Sequence, residues 1–481
     1  MHQEITTDVV IVGGGGAGLA AAIEAATLGC KVILLEKAAK LGGTTAWSVG
    51  SITANQTPHQ RRMGIVDTPD AHAADMSIFA GDLATRDNLA LQRLYVDNVS
   101  ETFDWLMAMG LVFLGPMPEP PHRVPRMHNI VPSSGAFPYI LGRRCKKIGV
   151  DIRLSTGADS VIMENGCAVG VIAKDATGAI WSFRATRGVV LATGDFSGGA
   201  ALKRSYISED AALTPAVAEA SFGDGHQMVL DVGGRILNGD LVWGPLMRFV
   251  PPPNKGLIQR LPPNKWIGIA AKMAYELLPQ FLLRPFLMGF VTTVLGPEPS
   301  LYQHGAILVN KLGQRFANEL ENPSAALVHQ PSQIAYVVMS SETAVKFQKW
   351  PYFISTAPGV AYAYLSDYRR SRRDIYFEDA SLVGLARKIG VNPKELEKSL
   401  SVGTGPYVAL GPIRPYVLIT DGGLKVTNQL QVTGIDDLPI PGLYAAGSSG
   451  QGGVLLYGHG HHLGWAFVSG RIAGKNVSKS D

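Results

Sequence analysis

Cysteine is scarce in this chain: Cys30, Cys145 and Cys167 are the only three among 481 residues. Their spacing forms neither a CxxC nor a zinc pattern, so buried or free thiols are expected and a disulfide framework is excluded. This suits a reducing cytoplasm. Charge is also sparse, at 17% of residues with a net charge of +4. No basic stripe with interleaved aromatics occurs, which argues against a nucleic-acid partner. The opening MHQEITTDVVIVGGGG runs straight into a strand and turn, with no signal-peptide pattern. The terminal SKSD is neither a lipidation nor a retention signal. Long charge-free apolar runs are missing as well: the most apolar stretch, 266–295, is broken by Lys272, Glu276, Pro279, Arg284 and Pro285. A pair of helices with a hydrophobic face is expected there. The alternative is an exposed apolar surface that makes peripheral membrane contact or admits a greasy substrate, so the location reads as cytoplasmic with membrane association as the variant.

What is abundant is hydrophobic residue, 46% of the chain, enough for a large core, and the length allows roughly two to four domains. Asp8 to Val12 (DVVIV) reads as a buried parallel strand. Gly13-Gly14-Gly15-Gly16-Ala17-Gly18 follows and satisfies GxGxxG. Leu19 to Thr27 is alanine-rich and helical, and Lys31 to Leu35 is a second strand with Glu36 at its end. In such a βαβ unit Gly13 makes the tight turn, Gly15 lets the backbone approach a pyrophosphate and Gly18 permits close helix packing. The helix N-terminus, at Gly16 and Ala17, offers N–H groups to phosphate. Glu36 can accept hydrogen bonds from a ribose diol and would repel a 2′-phosphate, which argues against NADP at this site.

Further pieces follow in order. Lys40 to Ala54 (KLGGTTAWSVGSITA) is a second loop rich in glycine and hydroxyls. Gly188 to Gly194 (GVVLATG) and Pro441 to Gly447 (PGLYAAG) are buried strands ending in small residues. Together these motifs resemble the FAD-binding domain of the flavoprotein family that contains fumarate reductases, succinate dehydrogenases and 3-ketosteroid dehydrogenases. The resemblance implies an α/β architecture: a Rossmann-like FAD-binding domain with an inserted α+β substrate-capping domain. It implies FAD contacts from Glu36 and Lys37, from Gly42, Gly43, Thr44, Thr45 and Ser48, from Ala158 beside the adenine, and from Ala192, Thr193, Gly194 and Gly447. The glycine loop holds no histidine, so noncovalent FAD is expected. No second GxGxxG unit with a following acid is found, which leaves electrons to pass through substrates and a diffusible acceptor.

The roughly 250 residues between the two later strands are too many for a simple connection. The capping domain is expected at 241–409, between FAD-binding segments 1–240 and 410–481. Within it, Gly305 to Asn318 reads as strand, KLGQ turn and short strand. Leu382 to Val391 and Pro393 to Leu400 read as short helices, with Asn392 capping the second. Earlier, Pro116 to Pro132 (PMPEPPHRVPRMHNIVP) is too proline-rich for a helix. Its His122, Arg123, Arg126 and His128 belong either to a solvated loop or to a lid that meets an acidic or carbonyl substrate.

Near the C-terminus, GGVLLYGHGHHLGW precedes a helix beginning about Gly464. The resemblance points this helix N-terminus, with His462 and Leu463, at the flavin pyrimidine ring, where its dipole favours anionic reduced flavin. Fumarate reductases of the family carry asparagine-arginine-leucine-glycine where this chain has His461-His462-Leu463-Gly464, and a second family arginine is missing after Asn318-Glu319. The loop is more similar to the ketosteroid dehydrogenases: Tyr457, Gly460 and Leu463-Gly464 match, with His459 in place of a serine. Tyr457 is then the candidate base for the proton α to a ketone, assisted by His459, with Tyr302 as a further contributor. A metal at HGHH is not expected, because adjacent histidines diverge at a helix start and no acid or cysteine lies near in sequence.

The expected function is dehydrogenation of a cyclic ketone, a 3-ketosteroid or a smaller oxo-ring, to the α,β-unsaturated ketone by an FAD-dependent CH–CH oxidoreductase. An enoate reductase acting on a small acid is the alternative, with a carboxylate clamp drawn from His122, Arg123, Arg126, His459 or His462. A noncatalytic electron-transfer flavoprotein subunit is the third reading.

Overall fold

The computed structural model describes residues 3–252, 262–279, 284, 288, 291–293, 295–357, 361–400 and 403–479. Parts of the apolar stretch 266–295, namely 280–283, 285–287, 289, 290 and 294, lie outside the described residues. Strand β1 (Gln3–Val12) leads through Gly13 into helix α1 (Gly16–Thr27) and strand β2 (Val32–Glu36). β1 runs parallel to β2 on one side and to Ile180–Leu191 on the other, in register Val9 to Val32 and Val10 to Val189. Asp151–Leu154 extends the sheet beyond β2, and Pro439–Ala445 adds a parallel strand beyond Ile180–Leu191. Val9, Val10 and Ile11 are fully buried, as a β-branched run covered on both faces requires.

The sheet is covered by helices made of small residues. α1 packs against the C-terminal helix (His461–Val477), where a Cβ on Gly470 or Gly474 would stand 2.3 or 2.4 Å from the Ala17 or Ala21 carbonyl oxygen. The glycines therefore set the helix separation. Gly13 (φ +108°) has a left-handed backbone, and a Cβ there would lie 2.3 Å from the Ala192 oxygen. A Cβ on Gly18 would meet the Gly13 oxygen at 1.8 Å, so packing alone demands glycine at both positions.

The inserted cap has its own antiparallel sheet, Leu246–Phe249 to Tyr407–Tyr416 to Ala335–Met339 to Ile307–Asn310, with Tyr376–Asp379 also on the long strand. That long strand crosses residue 409. Its core joins Leu301, Leu308, Leu327, Val337, Tyr368 and Leu410. Leu382–Ile389 and Pro393–Ser399 form the two short helices, the second capped by Asn392 Oδ1 accepting from Lys394 N at 3.0 Å. The second strand expected within 305–318 shrinks to a single bridge between Val309 and Arg315. Its chain instead turns so that Glu319 accepts from Leu308 N at 3.0 Å, spending the pairing capacity of that strand on a carboxylate.

Candidate functional site

The carboxyl ends of the parallel strands meet at one crevice, the usual ligand position in an open α/β sheet. Glu36, buried at the end of β2, accepts from Gly14 N at 2.7 Å and Ala38 N at 2.8 Å, leaving further lone pairs for a diol. Thr45 Oγ1 accepts from Gly16 N at 3.1 Å in the first turn of α1. Gly42 (φ +132°) and Gly43 (φ +46°) bring the second glycine loop across that turn. A Cβ on Gly15 would meet nothing nearer than the Gly42 oxygen at 4.0 Å, and one on Gly43 nothing nearer than the Gly15 Cα at 3.7 Å. Protein packing requires neither glycine, although the left-handed backbone at Gly43 favours one; the open space at this helix N-terminus fits a pyrophosphate.

The other expected cofactor residues surround this opening. Thr44 Oγ1 lies 3.2 Å from Ser221 Oγ, and Ser48 Oγ donates to the Thr45 oxygen at 2.8 Å. Ala158 sits in the strand Thr156–Glu164, beside β2, where Ser155 N reaches the Ala38 oxygen at 3.0 Å. Thr193, between Ala192 and Gly194, has a buried Oγ1 with no hydrogen-bond partner among the described residues, an acceptor or donor left for a ligand. Gly447 N donates to Ser469 Oγ and its oxygen accepts from Trp465 Nε1, which pins this strand end to the C-terminal helix. Lys37 points elsewhere: its Nζ pairs with Asp224 at 2.6 Å over the Phe222 ring.

A second group of residues gathers around Tyr457. Its half-buried ring stacks on Trp243 with centroids 5.3 Å apart and planes 11° off parallel. Trp243 Nε1 donates to Asp421 Oδ2 at 3.0 Å, and Gln451 Nε2 donates to Asp421 Oδ1 at 3.1 Å. His462 Nε2 faces the same carboxylate at 3.6 Å. Arg86, nearby, is held by Asp240 and Asn238. Burial, then the Asp421 charge, pushes the Tyr457 phenol up to about 12. Burial pulls His462 down.

His459 is not beside the phenol. Its N and Nδ1 both reach Glu119 Oε1, at 2.8 and 2.5 Å, which ties the proline-rich loop to the tyrosine loop and raises the imidazole pKa. Tyr302 lies in the cap core, its hydroxyl buried without a partner among the described residues and its pKa raised by that burial. Arg126 is fully buried and bonded to Asp67 and Asp75, and Arg123 also holds Asp75. Arg126 is thus shut away from any substrate, while Arg123 is exposed but already engaged by Asp75.

His461 meets two distant histidines. His72, His122 and His461 are buried with one ring nitrogen each within 4.8 Å of the others. Arg126 Nη1, which can only donate, lies 2.9 Å from His122 Nδ1, so the His122 hydrogen is on Nε2. Asn55 Nδ2 donates to Val96 O and to His72 Nδ1, His72 Nε2 then donates to His461 Nε2 at 3.1 Å, and His461 Nδ1 donates to the Tyr457 oxygen at 2.6 Å. Every lone pair that a metal would need is occupied or turned away. The cluster is a neutral hydrogen-bonded wedge under the tyrosine loop.

Trp243, Asp421, Arg86 and Asp240 escaped the sequence reading. Asp421 carried a signal: a lone acid followed by Gly422-Gly423 at a strand end.

A Rossmann-type crevice with an open phosphate cradle, an acid for a ribose and a second, proton-bearing group beside it defines an FAD-dependent oxidoreductase. The family model of the FAD binding domain matches residues 8–261 and 290–457, and the chain belongs to that family, within the fumarate reductase and succinate dehydrogenase flavoprotein superfamily. Curated relatives include an NADH:fumarate oxidoreductase of Klebsiella pneumoniae (strain 342), 25% identical over 98% of this chain and 48% of that one. They also include a urocanate reductase of Eggerthella lenta, 24% identical over 99% and 75%. The chain thus spans about half of the first relative's length. Among solved structures, the open conformation of a flavocytochrome c3 fumarate reductase superposes with a TM-score of 0.75 at 22% identity, covering 99% of this chain and 78% of that one. The 3-ketosteroid delta1-dehydrogenase from Sterolibacterium denitrificans gives 0.67 at 18% identity, covering 99% and 100%. These two establish the shared fold. The curated relatives are reductases, so the expected place nearest the ketosteroid dehydrogenases rests on the tyrosine loop alone.

Proposed function

We propose that this flavoprotein transfers hydride between FAD and an uncharged α,β-unsaturated carbonyl compound, such as a cyclic enone, with Tyr457 carrying the proton of the α-carbon. One observation carries the reading: Tyr457 is a neutral, half-exposed phenol, while the candidate carboxylate clamps are already matched by carboxylates. Arg123 and Arg126 hold Asp75 and Asp67, His459 holds Glu119, and His462 faces Asp421. A small dicarboxylic acid would have to displace one of these partners. An uncharged carbonyl would not.

FAD, when bound in the crevice, supplies the hydride chemistry at the β-carbon. Tyr457 supplies the proton. A phenol at about 12 is protonated at neutral pH, so its resting form donates rather than abstracts. Reduction of the conjugated double bond, the reverse of the dehydrogenation expected from sequence, uses that proton directly. Asp421 and Trp243 hold the ring in place, and the His461 bond to the Tyr457 carbonyl fixes its backbone. Enoate reduction of a small acid remains the second reading, supported by the fumarate and urocanate reductases among the curated relatives.

The test is reoxidation of the anaerobically reduced enzyme. Cyclohexenone or a 4-ene-3-ketosteroid is expected to reoxidise the flavin faster than fumarate or acrylate. Tyr457→Phe is expected to slow the enone reaction by about 10²–10³-fold with flavin content unchanged. Faster reoxidation by the acids, or an unchanged rate in the variant, would overturn the assignment.

A further inference from the structure

The helix Lys265–Leu277 lies on the hairpin Val112–Met117/Met127–Val131 by its one buried residue, Gly268. A Cβ there would stand 2.9 Å from the Val131 oxygen. The opposite face carries Trp266, Ala270, Met273 and Leu277, at spacings of four, three and four residues, all exposed. Trp266 and Leu277 are 76% and 74% exposed, far beyond an ordinary isolated surface hydrophobe. Leu278, just past the helix end, is also exposed.

The charges around this helix are mostly of one sign. Lys265 begins it, and Lys272 stands on its flank with Glu276 one turn on, at 3.8 Å. Lys272 shares a cavity of about 260 Å³ with Arg62 and Met63, the latter 62% exposed. Three cations thus border the apolar stripe against one carboxylate. An isologous contact with a second copy would set these cations against themselves. An anionic lipid surface matches them, and an apolar stripe with tryptophan at its edge and lysines at its flank is the composition of an interfacial helix.

We infer that the stripe Trp266, Ala270, Met273 and Leu277, bordered by Arg62, Lys265 and Lys272, docks this protein peripherally on an anionic membrane surface. The helix lies in the headgroup plane and does not cross it; among the described residues no helix is long and apolar enough to span a bilayer. Such docking would place the cap next to the phase in which an apolar enone concentrates. It holds whether or not the substrate proposed above is correct.

The experiment is co-sedimentation of the flavin-loaded protein with phosphatidylcholine vesicles, with and without one quarter phosphatidylglycerol. Binding to the anionic vesicles is expected to exceed binding to the neutral ones at least tenfold and to fall in 0.5 M salt. The triple variant W266S/M273S/L277S is expected to lose at least tenfold in binding while keeping its flavin absorbance. Lys265→Glu with Lys272→Glu tests the charge separately and is expected to lose binding without touching the stripe. In the wild type a blue-shifted tryptophan emission should appear with vesicles and vanish in Trp266→Phe. Failure to sediment with anionic vesicles would overturn the inference. So would a dimer in solution that the triple variant makes monomeric, because a second copy would then cover the stripe.

Discussion

Acid should unfold this protein unusually early, because six of its histidines are buried in neutral form. Burial pulls His59, His122 and His226 down to about 4 and His128 to about 3. His72 and His461 are lowered in the same direction, again by burial first. The imidazole of an unfolded chain titrates near 6.5. Below that pH the unfolded chain binds protons that the folded one refuses, so stability falls as pH falls, from about 6.5 down to about 4. At pH 5 each of the four valued histidines costs about 2 kcal/mol relative to pH 8. Two buried carboxyls act in the opposite sense: Asp87 and Asp195 are raised to about 6, so the folded state takes up their protons first. Each returns about 1.4 kcal/mol at pH 5, leaving a net loss of about 5 kcal/mol before His72 and His461 are counted. A total stability of about 5–15 kcal/mol does not survive much more than that. Urea unfolding of the FAD-saturated protein at pH 8, 7, 6 and 5, followed by tryptophan emission, measures the loss. His128→Gln should flatten the dependence by about 1.4 kcal/mol per pH unit between 6 and 4. A urea midpoint that stays constant from pH 8 to pH 5 would refute the burial of these histidines in neutral form.

Arg126→Ala strips Asp67 of its buried cation, leaves Asp75 to Arg123 alone and should cost about 3–5 kcal/mol in urea, whereas Arg93→Ala, at an exposed pair with Asp70 and Asp97, should cost under about 1 kcal/mol. Equal effects would contradict the burial of the first network. Glu36→Ala removes the ribose acceptor and should weaken FAD binding about 10–100-fold by fluorescence titration; unchanged affinity would place the ribose elsewhere. Tyr302→Phe deletes a buried hydroxyl without a partner, so stability should hold or rise by about 1 kcal/mol and enone reoxidation should not change. A tenfold slower reoxidation would restore Tyr302 to the chemistry.

The flavin half of the molecule was legible because its information is local. DVVIVGGGGAG carries strand, turn and helix within one short window, and Glu36 follows at the spacing that a βαβ unit dictates. Asn392 ahead of Pro393 marked a helix start for the same reason. The tyrosine site resisted because its meaning lies in pairs far apart in the chain. Nothing beside Arg126 in sequence announces Asp67 and Asp75, and nothing beside His461 announces His72, 389 residues away. A run of basic residues reads as a free clamp until the acids that claim it are placed. The spacing rules that expose helices and strands have no counterpart for such partnerships.

The parallel strand Pro439–Ala445 and the helix His461–Val477 complete a sheet that begins at Gln3. A ribosome makes the chain in one direction, so β1, β2 and Ile180–Leu191 emerge long before the pieces that cover them. The cap, with a sheet and core of its own, is finished in between. During synthesis the nucleotide crevice therefore stands open along one flank, with Val189 and Val190 bare and Ala17 and Ala21 lacking the helix that presses on them. Cofactor loading is in this sense a late event. A ribosome-stalled chain that ends before residue 439 should display a finished cap and a flavin half that chaperones, rather than FAD, must hold.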